Sequence, residues 1–141
     1  MPSSARQTKR NSMDVQDFDG ITNVSSKDEL LTKVRGSRRD GFGAFQLFGE
    51  NQTSLEIGFN GDLAFLYFFP DADGVHPGYE PVGMTPPNCP QTVFVYQTSG
   101  EKADGFEIPS EYIVSADIAY SAATEYFECQ VLPPSVSWFE L

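Results

Sequence analysis

The strongest constraint on the fold lies between Ser54 and Phe69. Ser54 to Phe59 alternates Leu55, Ile57 and Phe59 against Glu56 and Gly58. Asn60-Gly61-Asp62 follows, and Asn-Gly between apolar runs is the strongest short-range hairpin signal. Leu63 to Phe69 then reads Leu-Ala-Phe-Leu-Tyr-Phe-Phe, an almost unbroken apolar run that suits a strand buried on both faces. Phe42 to Phe48, just upstream, also has strand character. The three runs predict an antiparallel meander.

The flanking sequence builds on that meander. Met1 to Asn11 lacks apolar periodicity and reads as a flexible leader, so residues 1–12 are set apart from a single domain over 13–141. Asp14 to Val24 alternates loosely and fits a strand or hairpin. Ser26-Lys27-Asp28-Glu29 is a capping box. The Ser26 hydroxyl accepts from the Glu29 N–H, and the Glu29 carboxylate reaches back to the Ser26 N–H. Leu30, Leu31 and Val34 give the short helix an apolar stripe, and Gly36 is its expected stop.

Pro70 to Pro90 carries six prolines and three glycines and is predicted to be irregular. Thr92 to Gln97 and Phe106 to Ile108 read as strands about a polar turn, Thr98 to Gly105. A second helix is expected over Ser115 to Glu128. Ser115 is its cap, and Ile118/Ala119, Ala122/Ala123 and Tyr126/Phe127 form its apolar face. Val136 to Phe139, with the lone Trp138, reads as a last strand. The class is α+β: an antiparallel sheet of about five to seven strands with two helices packed on one face. Phe65, Phe68, Phe94, Ile118 and Phe127 are core candidates only; Trp138 is a second candidate for a binding surface, with a core plug as the more common role of a lone Trp on a terminal strand. No run of about 18 apolar residues suggests a membrane span, and no secretory signal is visible. Two cysteines are too few for a disulfide scaffold, so a reducing, cytoplasmic setting is the default. Whether Cys89 and Cys129 approach each other stays open.

Charge is the informative bulk property. The net charge is −11. Met1 to Gly49 holds eight Lys and Arg against six acids; Glu50 to Leu141 holds 14 acids against Lys102 alone. Direct nucleic-acid binding is disfavoured, because a phosphate backbone wants a basic footprint. A folded acidic surface attracts basic partners and speeds their association.

Catalytic signals are weak. His76 is the single histidine and excludes a His-paired metal site; its loop position between Val75 and Pro77 suits a surface residue. The cysteines lack metal-ligand spacing. Asp71-Ala72-Asp73-Gly74 is like the start of a calcium loop, but Pro77 interrupts the path to Glu80. Neither a GxxxxGK[ST] nor a GxGxxG pattern occurs. No cofactor and no enzymatic activity are expected.

Leu55-Glu56-Ile57-Gly58-Phe59 with the Leu63 to Phe69 run, Phe106-Glu107-Ile108-Pro109, a helix carrying Tyr126-Phe127, and Pro134-Ser135-Val136-Ser137-Trp138 occur in that order. The series, from about Leu55 to Trp138, resembles immunity family one of bacterial polymorphic toxin systems. The resemblance implies a small cytoplasmic inhibitor that occupies the active site of a cognate toxin C-terminal domain, such as a nuclease or a DNA deaminase. The surface expected to meet that domain comprises Asp71, Asp73, Tyr79 and Glu80 of the proline-rich loop, Glu101 and Asp104 of the polar turn, and Glu107. Two other readings stand beside it: an acidic adaptor or nucleic-acid mimic for another basic protein, and a small-ligand enzyme on an α+β scaffold. The oligomeric state is open.

Overall fold

A computed structural model describes residues 12–49, 52–71, 73–96 and 105–141. Residues 1–11 of the expected leader and the turn acids Glu101 and Asp104 lie outside these residues. The chain order is β1 (Met13–Asp17), β2 (Gly20–Val24), α1 (Lys27–Gly36), β3 (Phe42–Phe48), β4 (Ser54–Asn60), β5 (Leu63–Phe69), β6 (Tyr79–Pro81), β7 (Thr92–Phe94), β8 (Phe106–Ile108), a 3₁₀ turn (Ser110–Tyr112), β9 (Ile113–Ser115), α2 (Ala116–Cys129) and β10 (Trp138–Glu140). The fold is α+β. Eight strands form the main antiparallel sheet, in the order β10-β6-β5-β4-β3-β1-β2, with β9 also on β5. The sheet exceeds the expected size because three-residue strands extend it.

The meander is its centre. Ile57 pairs with Phe45 on one side and Leu66 on the other. The hairpin loop is Gly61-Asp62, with Gly61 at φ 59°. Asn60 is thus the last residue of β4, and its side-chain amide donates to the Val93 carbonyl at 2.9 Å. Along one edge of β5, β9 pairs with Leu63 to Phe65 and β6 with Phe68.

Side-chain alternation gives the sheet two faces. Phe45, Leu47, Leu55, Ile57, Phe59, Ala64, Leu66 and Phe68 point to the first face and are buried. Both helices cover it. Leu30 and Val34 of α1 and Ala119, Ala122, Ala123, Tyr126 and Phe127 of α2 complete the same core. Each buried Leu, Ile or Phe contributes about 1.5–3 kcal/mol, so this layer outweighs any cap or surface pair. Ser26 caps α1 as expected, its hydroxyl accepting from the Glu29 N–H at 3.0 Å. The Glu29 carboxylate, however, accepts from Ser25 N–H (3.3 Å) rather than from Ser26 N–H. Gly36 belongs to the helix, and Ser37 is its C-cap. Ser115 caps α2 through Ile118 N–H at 3.3 Å.

Three strand expectations shift. The proline-rich segment is not wholly irregular: Tyr79–Pro81 pairs with both β5 and β10. The strand from Thr92 ends at Phe94. The last strand runs over Trp138–Glu140, where Trp138 faces Pro81. The Trp138 ring packs on the main core and its indole N–H donates to the Pro133 carbonyl at 2.8 Å. Among the described residues, no helix is long and apolar enough to cross a membrane.

Candidate interaction surface

The second face of the sheet is covered at one end only. There β7 and β8 form a two-stranded sheet of their own. Phe65 meets Phe94 and Phe106 edge-on, with centroids 5.0 and 5.5 Å apart. A glycine makes this possible. A Cβ on Gly58 would stand 2.0 Å from Cε2 of Phe65, so the ring lies across a residue that must have no side chain.

Beyond that lid the face is open. Phe48, Ser54 and Phe69 lie in one cross-strand row; Gln46, Glu56 and Tyr67 lie in the next. Glu80 continues the second row on β6, and Phe139 pairs with it from β10. Phe48 is 38% exposed and Phe139 48% exposed. The Tyr67 and Phe69 rings stack with centroids 4.5 Å apart. The Tyr67 hydroxyl donates to the Pro77 carbonyl at 2.7 Å, and its ring lies against Gly78.

The carboxylates on this face are poorly compensated. Glu56 is partly buried, and burial pushes its carboxyl above the ordinary glutamate range. Burial also pushes Glu80 up, with the Glu111 charge adding to it. Tyr67 is raised by burial, then by Glu80 and Glu56. At the corner of the face, one oxygen of Asp71, Oδ1, is buried with no hydrogen-bond donor. Asp71 lines a cavity of about 330 Å³ together with Gln46, Phe48, Thr53, Ser54 and Phe69.

The cations are elsewhere. Five Lys and Arg fall among the described residues, and all have partners outside this patch. Lys33 pairs with Asp17 at 3.0 Å, Lys27 with Glu128 at 3.5 Å, and Arg39 with Asp19 at 3.0 Å. Arg38 sits 4.3 Å from the Phe59 ring centroid and donates to the Tyr120 hydroxyl; Arg35 lies over the Tyr120 ring. Asp17 shows the contrast. Its burial would raise its pKa, but Lys33, the Asp19 N–H and Ser37 together hold it below the usual range.

The residues singled out from sequence are dispersed by this geometry. Asp71 and Glu80 belong to the open face. Tyr79, next to Glu80, points the other way: it packs against Phe68 and stacks on His76 at 5.0 Å. Asp73 is exposed in the following loop, and Glu107 faces outward from β8, opposite Val93. His76 fastens that loop. Its Nδ1 accepts from the Gly78 N–H at 2.8 Å, so Nε2 carries the proton toward Glu140, 2.7 Å away. Cys89 packs beside Phe65 and Phe94, while Cys129 is exposed at the end of α2; both are free thiols. Among the described residues, no three His, Cys, Asp or Glu side chains converge as metal ligands would.

Glu56, Tyr67, Phe48, Phe69 and Glu111 were not singled out from sequence. The alternation of Ser54 to Phe59 contains the signal for Glu56, because it sets that acid opposite Leu55 and Ile57. No curated protein and no protein-family model matches this sequence.

Proposed function

We propose that this chain is a non-catalytic immunity protein that binds a cognate bacterial toxin domain and blocks its cationic, nucleic-acid-handling active site. One observation carries the reading. The open half of the sheet presents Glu56, Glu80 and Asp71 among Phe48, Tyr67, Phe69 and Phe139, and no Lys or Arg of the described residues pairs with it. Aromatic groups among uncompensated carboxylates suit a partner that brings cations and stacking surfaces. A domain that cleaves or edits DNA or RNA carries its cations in its cleft. The ordered resemblance from Leu55 to Trp138 supports the same reading and implies a cytoplasmic site of action.

Recognition is thereby non-catalytic. Long-range attraction speeds encounter, and the aromatic groups hold the docked state. Co-expression with the toxin domain encoded beside this chain tests it. Cells are expected to survive, and the two chains to co-purify in low salt. Failure to form a complex, or a toxin fully active within it, overturns the reading.

A further inference from the structure

We infer that the cavity at Asp71 is an anchor for one arginine side chain of the partner; this deepens the function proposed above and rests on it. The cavity exists because of the row Phe48–Ser54–Phe69. A small serine stands between two aromatic residues on neighbouring strands, which leaves a slot flanked by rings. At about 330 Å³ it is at the lower end of ligand-site volumes, suited to a side chain rather than a nucleotide cofactor.

The polar groups select the occupant's charge. Asp71 Oδ1 is buried without a donor, an arrangement native proteins rarely leave unanswered. No described cation pairs with Asp71. Gln46 donates its amide N–H to Ser54 Oγ at 3.2 Å, which leaves its carbonyl oxygen to accept. The site therefore offers the Asp71 carboxylate charge and the Gln46 amide carbonyl beside aromatic surface, and an anion has no place in it.

Guanidinium fits this chemistry better than ammonium. It is planar, stacks on aromatic faces, is less strongly hydrated, and donates in a fork to carboxylate oxygens. An ammonium would lose more hydration on entering between Phe48 and Phe69.

Titration with acetyl-arginine amide and acetyl-lysine amide, followed by amide NMR shifts of the full chain, tests the site without any toxin. Saturable shifts are expected around residues 46–49, 52–54, 69–71 and 73–74. The arginine compound should bind at least about fivefold more tightly than the lysine compound. Asp71→Asn should abolish the shifts while leaving the remaining spectrum in place, and Phe48→Ala should weaken binding several-fold. Shifts that persist in Asp71→Asn, an equal response to lysine, or no saturable shift at these residues would overturn the assignment. Because the toxin is absent, a toxin that escapes neutralisation would overturn the function and leave this result standing.

Discussion

Gly58 and Phe65 decide how the second face of the sheet divides into a covered and an open part. The ring occupies the space of the missing Cβ, then turns its edges to Phe94 and Phe106. Gly58→Ala should push that ring out and cost about 1–3 kcal/mol, the usual range for overpacking a tight site. Urea unfolding checks it; an unchanged midpoint would show that the ring has room. Glu56 supplies a prediction of the opposite sign. Its raised pKa means the folded protein binds this proton more readily than the unfolded chain. Its contribution to stability is full below the ordinary glutamate range and is lost as pH rises through the raised value. Glu56→Gln should therefore raise the melting temperature at neutral pH and match the wild type in acid, near pH 3. A variant less stable at neutral pH would mean the carboxylate has a favourable partner. At this scale the sequence was legible where pattern is local: Ser26 and Ser115 cap their helices as read. Tyr79 and Glu29 were not, because the direction of one side chain and the choice between two adjacent N–H groups depend on tertiary placement.

At the scale of elements, the meander and the second helix were legible because their periodicities are unambiguous. Leu55, Ile57 and Phe59 mark one face of a strand, and Ala119, Ala122, Ala123 and Tyr126 mark one face of a helix. The small residues also set how closely α2 approaches the sheet, with Tyr120 stacked on Phe59 at 5.1 Å. Ala119, which precedes Tyr120, is fully buried in the main core. Ala119→Leu should cost about 1–3 kcal/mol and loosen the Phe59–Tyr120 stack; unfolding free energies and near-ultraviolet circular dichroism read both effects, and an unaltered protein would contradict the close packing. Strands of three residues were not legible. β6, β9 and β10 hold too few residues for a period to declare itself, and each exists because a neighbour offers an edge. The open face follows from them. Its acids Glu56, Asp71 and Glu80 come from β4, β5's exit and β6, so no short sequence window contains all three.

For the whole molecule, the sequence already displayed the charge imbalance, eight of nine basic residues lying before Glu50. It did not display which surface the imbalance leaves bare. The fold uses the described cations on the helices and on the β1–β2 turn, and leaves the open face without any. A cation-bearing partner should therefore bind more tightly as pH rises through the raised carboxyl values of Glu56 and Glu80, since it pairs with their ionised forms. The most direct measurement is the association rate of this chain with the toxin domain proposed as its partner across ionic strength, for the wild type, for Glu56→Gln/Glu80→Gln, and for Asp117→Asn/Glu128→Gln on α2. A rate that falls steeply with salt, with at least about tenfold weaker affinity for the open-face double variant and little change for the helix variant, is expected. If the helix variant loses the binding and the open-face variant keeps it, the partner docks elsewhere.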